Sequence, residues 1–543
     1  MMRPGFALLA LAACTSSPAK TVAPTLEVTT PARGTTVDGG MVTVSGTATA
    51  SGAMTVTVDG ETVPVGKDGS FSTQIAVQPG IQVIETHAID RAGHDVRDTR
   101  AVLAGTLAQS DGSHTSAIAA RASAAALTTI GKAIASDAKG VDYTQAAQGL
   151  NPIYNNTGCL GAVIDITSIS IGNVSVGLVP KAGALATDVT IDNVVVKLKA
   201  DFKVACIGGS TTITVSASAA HISGDLGARI ASGTLATSLP SASVQLDNFD
   251  LQVSGVPSEI VDLFNSHVQG AVQSSLASMI QSKVPPIANA KLAGLLAGGF
   301  DEKLLGVPAK LSITPSTVTV SPSGLYVAVD TKLAVTGGSG GMFLTTQSPV
   351  DASLMSGTRG LGVAIACDVL NELLAGLWAA GAFDTSVPVS SLSVLAALLD
   401  PDATTIAVSL SLPPTVSSDG TGNLQLAIGD AMISVEDQDG NVLQKLALTL
   451  ETALSAQASQ GSLALSLGQP QVWAQVLDQA DDGSRPLGDS QVEGLVTGVW
   501  GVVGNQAQTA LAKLSLPSVA GVQLGAPTIS AVQSYVVADV PLD

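Results

Sequence analysis

Residues 256–284 read VPSEIVDLFNSHVQGAVQSSLASMIQSKV, and this stretch carries the clearest structural signal in the 543-residue chain. An apolar side chain recurs every fourth residue, which predicts an amphipathic helix with one buried stripe. Ser258 can cap its start, and Pro285 and Pro286 predict its end, because proline lacks the N–H that a helix interior needs. The stripe consists of Ile260, Phe264, Val268, Val272, Leu276 and Ile280.

The segments before this helix alternate apolar with polar residues, which predicts long strands with one buried face. In the last segment the alternation slips between Leu246 and Phe249, as expected for a bulge in a strongly twisted sheet. A coiled sheet packed against a long helix follows from this order. The strands are predicted at 163–179, 188–204, 211–222 and 242–255.

Two other segments predict helices. Residues 361–383 are apolar enough to suggest a membrane span, but Asp368, Asn371 and Glu372 lie centrally in them, which favours buried helices instead. Apolar residues four positions apart predict a further helix before the first strands. These residues are Ile118, Ala122, Ala126, Ile130 and Ile134.

The second half of the chain repeats the order of strands, long helix and proline. Alternating strands from residue 311 onward lead to a predicted helix at 489–514 that stops before Pro517. The sequence therefore predicts an α+β fold with two tandem units, 113–300 and 306–543, each a coiled sheet with a long helix. The stripe of the second helix is Leu495, Val499, Val503, Ala507 and Leu511.

Residues 25–104 differ, because they alternate over short strands separated by tight turns. Asp59-Gly60 and Asp68-Gly69 predict hairpins, so the segment is interpreted as a small β-sandwich. The run VTVDGETVPVGKDGSFSTQIAVQPGIQVIETHAIDRAGH resembles the bacterial immunoglobulin-like modules of surface proteins. That resemblance implies a spacer or adhesive unit. The polar residues 104–112 after it predict a linker.

The N-terminus predicts an export signal. Residues 1–20 hold one Arg and an apolar stretch, and Leu11-Ala12-Ala13-Cys14 resembles the lipobox of bacterial lipoproteins. The resemblance implies a signal peptide at 1–13, acylation of Cys14, a tether at 14–24 and, since Thr15 is not Asp, an outer-membrane location facing the periplasm or the cell surface. An ordinary secretory signal is the alternative.

Three further cysteines would lie in an oxidising compartment. Cys159 and Cys206 belong to the same strand-rich region, and we predict that they form a disulfide. A metal site is the alternative, although the three are dispersed and form no CxxC pair. Cys367 lies in a helical pattern and is expected to be a buried small residue.

Composition excludes several functions. The net charge of −19 opposes phosphate contacts, so no nucleic-acid partner is expected. Only 12% of residues are charged while 46% are hydrophobic, and past residue 13 no uncharged apolar run reaches the length of a spanning helix. None of the five histidines follows His267, which argues against an enzyme, and no metal or cofactor is predicted.

The order of elements over residues 115–543 resembles the tubular lipid-binding superfamily, which includes bactericidal/permeability-increasing protein, lipopolysaccharide-binding protein and plasma lipid-transfer proteins. The matching stretches are ITSISIGNVSVGLVPKAGALATDVTIDNVVVKLKADFKV, the helix at 256–284 and the closing VVADVPL. The resemblance implies lipid binding against a coiled sheet. The family's tips are cationic whereas this chain is acidic, which puts endotoxin binding at such a tip in doubt.

Lipid binding also follows from the apolar stripes. Burying a sixteen-carbon chain contributes roughly 12 kcal/mol gross, so an aliphatic groove needs no polar chemistry. We therefore predict a non-enzymatic, membrane-anchored lipoprotein that binds or carries lipids or other hydrophobic ligands. The alternative is a surface adhesion or structural protein of β-rich modules. The candidate lipid contacts are Phe264, Val268, Val272, Leu495, Val499 and Val503.

Overall fold

The structure is a computed structural model that describes residues 22–296, 299–345, 349–357, 359–391, 399–418, 423–459, 462–479, 487–497, 522, 525–532 and 534–542. Strands dominate, and those of the described residues form six sheets. Curled sheets with helices packed against them make this a β-rich α+β chain.

Residues 25–104 form two packed sheets, the N-terminal sandwich. Its strands are β1 Thr25–Thr30, β2 Thr35–Val37, β3 Gly40–Thr49, β4 Met54–Val58, β5 Glu61–Val63, β6 Ser70–Val77, β7 Gly80–Asp90 and β8 Asp95–Ala104. One sheet has the order β1-β3-β6 and the other β2-β8-β7-β4-β5. Val44, Val56 and Ala88 are fully buried between them. Asp59 and Gly60 both have positive φ and connect β4 to β5 in the tight hairpin that the sequence predicts.

The segment after the sandwich, which the sequence predicts to be a linker, also pairs with a distant part of the chain. Strand β9 (Leu107–Gln109) pairs with Met342–Leu344, and the N–H of Leu333 donates to the carbonyl of Gly112 at 2.6 Å. Its partners lie far along the chain, so the local sequence of this short polar stretch does not predict the pairing.

Strand β10 (Ser113–Ser123) leads directly into helix α1 (Ala124–Lys139), which is followed by α2 (Tyr143–Gln148). The Ser123 hydroxyl caps α1 by accepting from the Ala126 N–H at 3.2 Å. Placing Ile118 and Ala122 in a helix was therefore wrong. Residues 117–123 of β10 are all buried, so neither alternation nor the spacing of small residues identifies that strand.

The next strands form an eight-stranded sheet, the first sheet. They are β11 Tyr154–Asn155, β12 Leu160–Ser170, β13 Val174–Lys181, β14 Ala184–Val204, β15 Ile207–Ala231, β16 Thr234–Ser238, β17 Ala242–Asp247 and β18 Asp250–Val253. β14 pairs with β15 from Leu185↔Leu226 to Val204↔Ile207. The predicted slip of alternation marks the break between β17 and β18, where Asn248 has a φ of 51°.

Helix α3 (Ser258–Ala293) has 36 residues and continues through Pro285 and Pro286, so the predicted end was wrong. Its apolar stripe extends beyond the prolines, with Ala288 and Leu292 fully buried. Packing of this last part outweighs the two lost backbone hydrogen bonds.

The chain then forms β19 Phe300–Leu304, β20 Val307–Ser321, β21 Gly324–Val335, β22 Met342–Leu344, β23 Leu361–Ala366 and α4 Cys367–Ala379. The apolar segment 361–383 is thus a buried strand followed by one helix. Asp368, Asn371 and Glu372 lie on α4 and are at most 5% exposed. No helix within the described part of the chain is both long and apolar enough to span a membrane.

The last strands are β24 Thr385–Pro388, β25 Thr405–Leu410, β26 Thr415–Ser418, β27 Leu424–Glu436, β28 Val442–Ser459, β29 Ser462–Gln479, β30 Thr528–Val532 and β31 Tyr535–Val540. β24 to β29 form the second sheet. Residues 489–497 are helical (α5) and agree with the start of the predicted helix at 489–514. The remainder of that prediction, 498–514, lies outside the described residues.

A seven-stranded central sheet links the two halves. Its order is β19-β20-β21-β10-β23-β31-β30, so β10 from the first predicted unit lies between β21 and β23 from the second. Its strands come from both sides of the junction near residue 300 in the sequence, so the two predicted units share this sheet. Whether 113–300 and 306–543 fold separately stays a prediction.

Candidate hydrophobic-ligand site

The apolar stripe of α3 is buried against the concave face of the first sheet. All nine stripe residues from Ile260 to Leu292 are at most 1% exposed. Alternate residues of β14 and β15, such as Val189, Leu198 and Ile213, belong to the same apolar cluster. The helix and sheet therefore form a continuous aliphatic seam over most of the length of α3.

Few polar contacts hold α3 in place. Among the described residues, one side-chain hydrogen bond joins the helix to the sheet, from the Thr237 hydroxyl to the Pro285 carbonyl at 2.7 Å. One ion pair joins it to α1, between Lys291 Nζ and Asp137 Oδ2 at 2.8 Å. The ring of His267 stacks on that of Tyr154, with centroids 5.0 Å apart. Apolar contact therefore supplies most of the attachment.

A small void lies where the end of α3 meets the central sheet. The 3-10 turn Gly294–Leu296 covers β10, β20 and β21 at this point, and the void of about 10 Å³ has only apolar lining. The lining includes Ala120 of β10, Ile313 of β20, Val327 of β21 and Leu295 of the turn. A space this small is at the limit for one water molecule, so an acyl chain requires the seam to open.

The predicted lipid contacts fall into separate places. Phe264, Val268 and Val272 lie together in the seam and are at most 1% exposed, each packed against protein. Leu495 is half-buried on α5, whose neighbouring Val492 packs in the core of the second sheet. Val499 and Val503 lie outside the described residues, as does Cys14. Contact of any of these residues with lipid stays a prediction.

Cys159 and Cys206 form the disulfide that the sequence favoured. It closes the end of the β14–β15 hairpin, where Ala205 and Cys206 have φ values of 48° and 68°. The Cys206 N–H also donates to the Cys159 carbonyl at 3.2 Å. Cys367 is buried as expected, and burial followed by the charge of Asp368 raises its pKa to about 12, so this thiol stays protonated.

A polar cluster that the sequence did not reveal lies on α4. The fully buried Glu372 carboxylate accepts hydrogen bonds from the Ser110 hydroxyl at 2.5 Å and the Gly112 N–H at 2.9 Å. It also lies 2.6 Å from Nε2 of His114. Burial alone would lower the pKa of His114, but the hydrogen bond and charge of Glu372 outweigh it, so the pKa is raised.

This cluster borders a cleft of about 220 Å³ lined by His114, Phe343, Asp111 and Asp368 among others. The described residues contain no group of His, Cys, Asp and Glu side chains arranged to hold a metal ion. Instead the polar face of α4 fastens separate segments together. Glu372 holds the chain around residues 110–114, and Asn371 accepts from the Val416 N–H at 2.7 Å. The polar residues within 361–383 therefore hold neighbouring segments against α4 through buried hydrogen bonds.

Comparison with known proteins gives limited matches. Residues 24–106 match the family described as glucodextranase, domain B. No curated protein matches the chain. The solved structure of lipopolysaccharide binding protein is 14% identical, with 79% of this chain and 98% of that chain covered and a TM-score of 0.43. Latherin is 14% identical, covering 31% of this chain and 82% of its own, with a TM-score of 0.18.

A tetra-tandem repeat from the extending region of a large adhesion protein is 12% identical, with 84% of this chain and all of that chain covered, and its TM-score is 0.13. All three TM-scores lie below 0.5. None of these three similarities assigns a function to this chain.

Proposed function

We propose that this protein binds lipids or other hydrophobic ligands in the seam between α3 and the first sheet. The observation that carries the proposal is the attachment of a 36-residue helix by an apolar stripe with one hydrogen bond to the sheet and one ion pair to α1 among the described residues. Separating such surfaces leaves few buried polar groups without partners, and an acyl chain can replace the aliphatic contacts that are lost.

The energetics are compatible with this exchange. A sixteen-carbon chain gains roughly 12 kcal/mol gross on burial, against which the ordering of the chain and the displacement of α3 must be set. At the end of α3, outside this seam, the void beside the 3-10 turn leaves apolar side chains incompletely packed against the central sheet. An adhesion protein built only of β-modules has no need of a helix like α3.

We further propose that residues 115–543 adopt the tubular lipid-binding fold, with an immunoglobulin-like module in front. The order of curled sheet, long helix, shared central sheet and second sheet supports this arrangement. The proposed role is binding without catalysis. A screen for hydrolase activity, with carboxylate variants of any activity found, tests that part.

Attachment to the bacterial outer membrane through an acylated Cys14 completes the proposal, supported by the resemblance of Leu11-Ala12-Ala13-Cys14 to a lipobox. The variant Cys14→Ala should move the protein from the membrane fraction to the soluble fraction. The matched variant Thr15→Ala should stay with the membrane. Equal fractionation of both variants would contradict attachment through Cys14 and leave the proposed ligand binding untouched.

Ligand binding itself is tested on the soluble form, residues 21–543, purified without detergent. Native mass spectrometry and solvent extraction should find copurifying lipid, and a delipidated sample should take up a fluorescent fatty acyl probe in a saturable manner. Absence of both lipid and probe uptake would refute the proposed function.

A further inference from the structure

The N-terminal sandwich packs on the outer face of the second sheet through the edge of β8. The Thr99 N–H donates to Oε1 of Gln475 at 2.9 Å, and the Ala101 N–H donates to Oδ2 of Asp430 at 3.2 Å. Strand β2 pairs only with residues 102–104 of β8. Side chains of the second sheet therefore take the place of a neighbouring strand along the rest of this edge.

A bulge in β27 aims Asp430 at the sandwich. The register with β28 shifts between Ile428 and Ala431, and Asp430 has a φ of 44°. Its carboxylate, 1% exposed, accepts from Nη1 of Arg33 at 2.9 Å. Bulges re-aim single side chains in this way, so the contact with the sandwich is built into the second sheet.

A second charged contact lies at the other end of the interface. One nitrogen of Arg97, Nη2, donates to the Ala474 carbonyl at 2.8 Å and to Oε1 of Glu493 on α5 at 2.7 Å. Both partners of this ion pair are about one-fifth exposed. Ile81 and Leu103 of the sandwich lie in a small apolar cluster with Leu412.

Two buried polar atoms in this interface lack a hydrogen-bond partner among the described residues. They are Nη2 of Arg33 and Oγ1 of Thr99. Each such group carries a desolvation cost that water would remove on separation. A small apolar cluster, a few charged contacts and these two atoms without a hydrogen bond together favour an interface that can open while each side stays folded.

We propose that the N-terminal sandwich is a releasable cover of the second sheet, held closed by Arg97 and Arg33 and opening about Gly105. Gly105 has a φ of 119° and directly precedes the segment pinned by β9. Opening exposes the outer face around Asp430 and the edge of β8. This inference is independent of the proposed lipid binding.

Amide hydrogen exchange on the full chain tests the cover, because the amides of Thr99 and Ala101 are bonded across the interface. In Arg97→Glu, exchange of these amides should accelerate about tenfold or more, while exchange in β3 and β6 stays unchanged. The control Arg91→Glu, at an exposed turn, should leave both unchanged.

Combining Arg97→Glu with Glu493→Arg should slow the exchange again. Unchanged exchange in Arg97→Glu would overturn the proposal, as would equal acceleration throughout the sandwich, which indicates unfolding. If that variant does not fold, the wild-type chain is compared at about 0.05 M and about 1 M salt, where screening should selectively accelerate the same two amides.

Discussion

The first and second sheets are built alike but buried differently. In β14 of the first sheet, buried and exposed residues alternate from Leu198 to Asp201, with Lys199 in solvent. In β28 of the second sheet, the five consecutive residues 446–450 are all buried. The first sheet packs on one face against α3, whereas the second has a core on one face and the N-terminal sandwich on the other. The comparison shows how a chain with 12% charged residues can bury its apolar surface in a folded structure.

The largest expected difference between the two sheets is the effect on stability of placing a charge on the outer face of each. Thr449 of β28 lies under the sandwich and is 2% exposed, whereas Thr212 of β15 is exposed. Thr449→Lys should lower the free energy of unfolding by about 3–5 kcal/mol, because the ammonium is desolvated under the sandwich and the hydrogen bond from the Asp430 N–H to the Thr449 hydroxyl is lost. Thr212→Lys should change it by less than about 0.5 kcal/mol. Denaturant unfolding measures both, and equal losses would show that the two faces are covered alike.

The disulfide between Cys159 and Cys206 joins two ends of strands in the first sheet, and the second sheet has no counterpart among the described residues. Removing it in Cys159→Ala/Cys206→Ala opens a loop with a sequence separation of 47 residues and should cost about 2–4 kcal/mol. A reducing agent should destabilise the wild-type chain by a similar amount and leave the double variant unaffected. Little loss in the double variant would mean that sheet pairing alone fixes this end.

Filling the void beside the 3-10 turn tests whether this place, unlike an ordinary core position, contributes to ligand uptake. Ala120→Leu should cost about 1–3 kcal/mol through overpacking and reduce uptake of the fatty acyl probe. The matched variant Ala48→Leu, in the core of the N-terminal sandwich, should have a similar cost without affecting uptake. The two effects are separated by thermal unfolding and probe titration. Equal uptake by both variants would argue against a role for the void.

The smallest effect concerns the anchor between α4 and β10. Since the folded-state pKa of His114 is raised, its stabilising contribution is full below the unfolded value of about 6.5 and is lost as pH rises through the folded pKa. The free energy of unfolding should therefore decline as pH rises from about 6.5 through the folded pKa, and His114→Gln should remove that part of the decline. An identical pH profile for the variant would contradict the assignment.

Local patterns in the sequence predicted the parts of the fold that depend on local periodicity. Alternation located β14 and β15, and the fourfold spacing of Phe264, Val268 and Val272 located α3 and its buried stripe. The shared strand-rich surroundings of two cysteines favoured the observed disulfide.

Features that depend on distant partners could not be predicted. Ile118 belongs to a strand because β21 and β23 lie on either side of it. α3 continues past Pro285 because Ala288 and Leu292 in its last turns are buried in the apolar core. The pairing of His114 with Glu372 and the bulge that aims Asp430 at Arg33 join residues hundreds of positions apart, and no local pattern records them.

Photocrosslinking with a fatty acid that carries a diazirine in the middle of its chain tests whether a ligand binds in the seam between α3 and the first sheet. Peptide mapping should place the label on α3 around Phe264 to Val272 and on the inward-facing residues of β14 or β15, and unlabelled fatty acid should compete. Labelling confined to exposed apolar residues such as Ile207, or labelling that resists competition, would contradict a ligand site in the seam.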